Sequence, residues 1–170
     1  ESTGNTGAGL LFDMYALDEA AVGIIADVNA SNNGDSGITA SVDCPDGSAI
    51  LVGLSTDLLR PLAATAGDLL LGAPITIPGE PFGPIVASGN TGNGVSATVT
   101  GDGIAAAVFL DTQANGNTAN GFNLNVVATN GIALSGLIAS DVVLGLVNDM
   151  GVIPEPIDFD PIGRVTATSN

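Results

Sequence analysis

Ile38-Thr39-Ala40-Ser41-Val42-Asp43-Cys44 alternates apolar and polar side chains without a break. Val95-Ser96-Ala97-Thr98-Val99-Thr100 and Phe122-Asn123-Leu124-Asn125-Val126 repeat the pattern. Successive side chains of a strand point to opposite faces, so each run reads as a strand with one apolar and one wet face. Asn33-Gly34, Asp46-Gly47 and Asn130-Gly131 punctuate these runs, and such dipeptides favour the tight turns of hairpins. The expected fold is all-β, with room for one short helix per repeat. It consists of two tandem related antiparallel β units, each a small sandwich or partly open barrel.

The tandem arrangement rests on a self-match. Gly4-Asn5-Thr6-Gly7-Ala8-Gly9 recurs 85 residues later as Gly89-Asn90-Thr91-Gly92-Asn93-Gly94. One residue less of offset pairs Asp27 with Asp111, Asn33 with Asn117, Val42 with Val126 and Gly47 with Gly131. Ile77-Pro78-Gly79-Glu80-Pro81 likewise resembles Ile153-Pro154-Glu155-Pro156. Shared order of unlike motifs argues for duplication rather than low complexity. The units are 1–86 and 87–170, with 74–86 a Pro-rich linker or edge segment. Residues 57–66 and 141–150 each carry an apolar helical face and read as helix first, though Pro61 and Gly145 leave a buried strand nearly as open.

The alphabet excludes most chemistry. Eighteen acidic residues face two arginines, giving a formal net charge of −16, and there is no His and no Trp. Arg60 and Arg164 are the two cations, so Lys is absent as well. Without His there is no imidazole base and no Ser-His-Asp triad. Without Lys there is no Schiff base and no phosphate-loop lysine. The charge repels phosphates, so nucleic acid and anionic membrane surfaces are poor partners. Apolar stretches such as 20–26 fall far short of the roughly 18 residues that span a bilayer. The chain starts at Glu1 without a basic or apolar leader, which is the expectation for a processed, secreted form. No enzymatic activity is expected.

Several motifs nevertheless invite a chemical reading. Gly34-Asp35-Ser36-Gly37 looks like a protease signature, but the serine version needs a His and the aspartic version a second acidic loop. The aligned Ala119-Asn120-Gly121 has no acid. Asp27-x-Asn29-x-Ser31-x-Asn33 aligns with Asp111-x-Gln113-x-Asn115-x-Asn117. Alternate oxygen-bearing side chains on a tight loop suit a hard cation such as Ca²⁺, although Ile38 and Phe122 stand where an EF-hand has its bidentate Glu. The competing reading is a polar turn serving its own backbone. Asn29-Ala30-Ser31 is also a glycosylation sequon. Cys44 lies on the apolar parity of its strand and reads as a buried, inert thiol.

These features point to a non-enzymatic structural subunit that assembles with copies of itself into an extracellular filament, sheath or surface layer. A positive mean hydropathy without a membrane span suits a surface buried against itself. Exposed strand edges supply the means, through β-strand addition by a terminal segment, the N-terminal one foremost. The alternatives are a secreted adhesin or carbohydrate-binding sandwich, Ca²⁺-dependent in one version, and a virion structural protein. Packing so many acids together implies that Ca²⁺, high salt or acid stabilises the assembly, with Asp27 and Asp111 the first residues to test.

Overall fold

The structure, a computed structural model, describes residues 1–56, 84–138 and Ala167. Among these residues ten strands follow one another: β1 (Leu10–Tyr15), β2 (Asp18–Ala26), β3 (Ile38–Cys44), β4 (Asp46–Leu54), β5 (Ile85–Val86), β6 (Val95–Gly101), β7 (Ile104–Leu110), β8 (Thr112–Gln113), β9 (Phe122–Ala128) and β10 (Ile132–Ile138). Sheet A has the order β1-β3-β6-β9, sheet B the order β2-β4-β7-β10, and β5 with β8 forms a small third sheet. Every strand pair among the described residues is parallel. The chain therefore winds as a β-solenoid of about four turns. Each complete turn contributes one strand to sheet A, one to sheet B and a short third side.

This overturns the expected antiparallel sandwich or barrel, while all-β stands. The reason lies in what alternation reports. Most parallel sheets are covered on both faces and read as continuous apolar runs. A solenoid strand instead has one face inside and one outside, so it carries the same period of two as an antiparallel strand. Its hydrogen-bond partner is a full turn away, not across a hairpin. Asp46-Gly47 and Asn130-Gly131 sit at the corners between sheets A and B, and Asn33-Gly34 sits in the loop leading to β3.

The register fixes the interior. Leu10, Ile38, Val95 and Phe122 form one row across sheet A. Val42, Val99 and Val126 form another, which places the first and last two turns apart. The offset of 84 to 85 residues thus relates alternate turns, while adjacent turns repeat after 27 or 28 residues where no insertion intervenes. Between Asn33 and Asn90 the chain includes residues 57–83, and the spacing there is 57.

Inward residues of the two sheets share one buried cluster, including Ile38, Val42, Leu51, Val99 and Phe109. Along β3 its inward members run Ile38, Ala40, Val42 and Cys44. Gly23 makes room for Phe12, whose Cε1 lies 2.7 Å from where a Cβ would stand. Gly53 accommodates the Phe109 ring in the same way. Ala30, Ala87 and Ala114, all fully buried, line the narrow third side.

Residues 1–9 belong to this stack. Ser2 N donates to Asn29 O at 2.8 Å, and Gly9 N donates to Ser36 O at 3.1 Å. The N-terminal segment, expected to add to a neighbouring subunit, is bound here by its own chain. The helix-or-strand segments 57–66 and 141–150, the repeated Glu-Pro motifs and both arginines lie outside the described residues.

Candidate functional site: the asparagine ladder and the open ends

The loop before each sheet A strand follows one recipe. An Asn stands four residues ahead of a Gly, which precedes the first inward residue: Asn5 and Gly9, Asn33 and Gly37, Asn90 and Gly94, Asn117 and Gly121. The residue before each Asn is left-handed, with φ of 71° at Gly4, 57° at Asn32, 69° at Gly89 and 63° at Gly116. Gly adopts that region freely, and Asn or Asp with some tolerance. The Asn side chains stack in a ladder as a result.

Asn5 donates from Nδ2 to Asn33 Oδ1 at 3.0 Å, Asn33 to Asn90 Oδ1 at 3.1 Å, and Asn90 to Asn117 Oδ1 at 3.0 Å. The backbone N of each donor residue joins the same oxygen, at 3.1, 2.9 and 2.9 Å. Asn33, Asn90 and Asn117 are buried. Buried amides survive away from water because each finds partners.

The candidate cation ligands take separate roles in this architecture. Asn33 and Asn117 are ladder rungs, and Asn117 Nδ2 also donates to Ala87 O at 3.1 Å. Asp27 sits in a left-handed corner, φ 54°. Its Oδ1 accepts from Thr56 N at 2.8 Å and its Oδ2 from Thr56 Oγ1 at 2.6 Å. Asp111 occupies the equivalent corner two turns on, buried, with φ 47°. Asn29 bridges to Val86, and its Oδ1 accepts from Ser31 Oγ at 2.8 Å. Ser31 Oγ in turn accepts from Ser88 N, and Ser88 Oγ accepts from Asn115 N at 3.0 Å. Gln113 lies on β8. The polar positions are thus spent largely on joining turns. Among the described residues, no three or more His, Cys, Asp or Glu side chains group as a metal centre.

The protease-like loop is also absorbed. Asp35 O accepts from Gly92 N at 3.1 Å, Ser36 O accepts from Gly9 N, and Gly37 N donates to Asn93 O at 2.9 Å. Cys44 is buried, with Sγ 3.7 Å from Asp18 O.

Acids line one corner. Asp18 and Asp46 are in direct register at the start of sheet B. Asp102 follows at the same corner, held by Asn130 Nδ2 at 2.5 Å.

The two ends of the solenoid remain open among the described residues. β1 and β2 each lack a strand neighbour on the N-terminal side, and β9 and β10 on the C-terminal side. Leu10, Phe12 and Met14 at one end, and Phe122, Leu124 and Val126 at the other, are only partly buried. Leu137 continues the inward row of Phe109 and is 41% exposed. The ends differ in charge: β1 and β2 carry Asp13, Asp18 and Glu19, whereas β9 and β10 carry no charged residue.

Sequence reasoning missed the ladder because the aligned Asn5/Asn90 and Asn33/Asn117 pairs were each seen only at the longer offset. The Asn-x-x-x-Gly-apolar recipe, read four times at unequal spacing, was the available signal. No helix among the described residues is long and apolar enough to cross a membrane. Set against protein-family models, curated proteins and solved structures, the chain matches none of them.

Proposed function

We propose that this chain is a non-enzymatic structural subunit of an extracellular filament, sheath or surface layer, assembling with its own copies by β-strand addition. The observation that carries the reading is that, among the described residues, both ends of the solenoid are open. An unpaired strand edge presents a row of N–H and C=O groups that template another strand. Natural proteins blunt such edges with Lys, Pro, bulges or a covering element. β9 and β10 contain neither Lys nor Pro, and their inward apolar residues are left partly exposed.

The composition supports the same reading. A chain with so few cations has few of the groups used for catalysis or phosphate binding, while its Gly, Asn and Ala content serves a repeating, stackable turn. The purified chain, followed by negative-stain microscopy and light scattering across a range of concentrations, is expected to yield fibres or lattices. A monodisperse monomer at every concentration rules the reading out.

A further inference from the structure

We infer that copies of this chain stack head to tail and in register, the β9/β10 end of one meeting the β1/β2 end of the next, so that the solenoid continues across the junction. The inference rests on the self-assembly reading and adds a polarity, a surface and a register to it. Its partner is a second copy of the same chain.

Three observations converge on that geometry. All strand pairs among the described residues are parallel, and only head-to-tail stacking offers each edge left open among them a parallel neighbour of the same sheet. The inward rows also continue: Phe122, Leu124 and Val126 end the rows that Leu10, Phe12 and Met14 begin. The buried ladder has a direction, because every rung donates toward the C-terminal end. A directional ladder is extended by copies that point the same way, and a two-fold junction reverses it.

Charge selects the same arrangement. Two N-terminal ends meeting face to face bring Asp13, Asp18 and Glu19 close to their own copies, and like charges opposed across strands destabilise pairing. Head-to-tail contact sets that acidic edge against the uncharged edge of β9 and β10. Such a contact joins two different surfaces and does not close on itself, so it propagates as an open filament.

Cysteine pairs test register and polarity together. Leu11, 75% exposed, shares an outward row with Thr39, Ser96 and Asn123. Within one chain Leu11 and Asn123 are three strand spacings apart, about 14 Å, too far for a disulfide. Across the inferred junction they become neighbours about 4.8 Å apart on one face, within disulfide reach.

The chain carrying both Leu11→Cys and Asn123→Cys, mildly oxidised, is expected to give a reducible series of trimers and longer multimers. Leu11→Cys with Asn125→Cys, two residues out of register, is expected to give several-fold less. Equal yield from the two pairs overturns the register. Efficient dimers from Leu11→Cys alone, or from Asn123→Cys alone, mean a two-fold junction and overturn the polarity. Fibres by microscopy without cross-linking place assembly on another surface, which overturns this inference and leaves self-assembly standing. Absence of any polymer overturns both. The substituted side chains are exposed, and an unchanged thermal transition of the reduced variants verifies the fold.

Discussion

Asn33 and Asn90 are 57 residues apart in the chain, yet the backbone N and the Nδ2 of Asn33 both donate to the Oδ1 of Asn90, at 2.9 and 3.1 Å. Asn90 then makes the same two bonds to Asn117. One amide thus couples three consecutive turns, and the coupling has no apolar substitute. Asn90→Ala leaves buried donors and an acceptor short of partners, at about 1–3 kcal/mol each. A loss on the order of 3 kcal/mol is expected in the free energy of unfolding, read as a lower denaturant midpoint at unchanged slope.

Asn90→Asp separates hydrogen bonding from shape. Oδ1 still accepts from Asn33, but the second oxygen now faces Asn117 Oδ1 and carries buried charge. Burial raises the folded-state carboxyl above its unfolded value of about 3.9. The variant is therefore most stable below that unfolded value, where the protonated carboxyl can donate, and it loses stability as pH rises through the folded value. The deficit relative to wild type should widen from pH 3 to pH 7. A deficit constant over that range contradicts the ladder's role.

Gly53 and Phe109 form a size pair, because the aromatic ring occupies the space a Cβ at Gly53 would need. Gly53→Ala is expected to cost about 1–3 kcal/mol, the usual range for overpacking a dense core. Adding Phe109→Leu should recover part of that loss. A double-mutant cycle with zero coupling means the two sites do not share the space.

The period of two, the apolar faces and the burial of Cys44 were legible because they depend only on which side of a strand a residue occupies. Strand partnership was not legible by the same route. Alternation is identical for an antiparallel strand and for a solenoid strand, and Asp46-Gly47 marks a corner as well as it marks a hairpin. Residues 57–83 also stretch one interval between ladder rungs from 27 or 28 to 57, which hides the single-turn repeat. At an offset of 85, Asn5 and Asn90 align; at 84, Asn33 and Asn117 align; the four never appear together. Of the oxygen-rich positions in the candidate cation loops, Asn33 and Asn117 turn inward to join turns. Polar residues on a loop and polar residues in a buried ladder have the same spelling.

Gly116 isolates the backbone requirement of the ladder loop. Its φ is 63°, and a Cβ added there meets nothing within 4 Å. Gly116→Ala therefore tests strain alone and should cost about 1–2 kcal/mol. Gly116→Asn should cost measurably less, because Asn tolerates this conformation and Asn32 already occupies the equivalent position at φ 57°. Equal losses for the two variants point to another cause, such as altered loop hydration. Thermal unfolding of both beside wild type decides.

The acidic corner makes stability depend on salt. Asp18 and Asp46 stand in direct register on adjacent parallel strands, and like charges so placed destabilise pairing. Screening shortens from about 10 Å at 0.1 M to about 3 Å at 1 M ionic strength. The repulsion between exposed carboxylates fades across that range. The melting temperature of the wild type should accordingly rise with added sodium chloride. Asp46→Asn removes one partner without changing the size of the side chain, so it should raise the melting temperature at low salt and flatten the salt response. The corresponding change at Asp102 behaves differently, because Asn130 Nδ2 already donates to its Oδ1 at 2.5 Å. Asp102→Asn sets an amide beside an amide and weakens a charge-assisted bond, offsetting the relief of repulsion. A salt response of Asp46→Asn as steep as that of the wild type means the sensitivity arises elsewhere in the 18 acids.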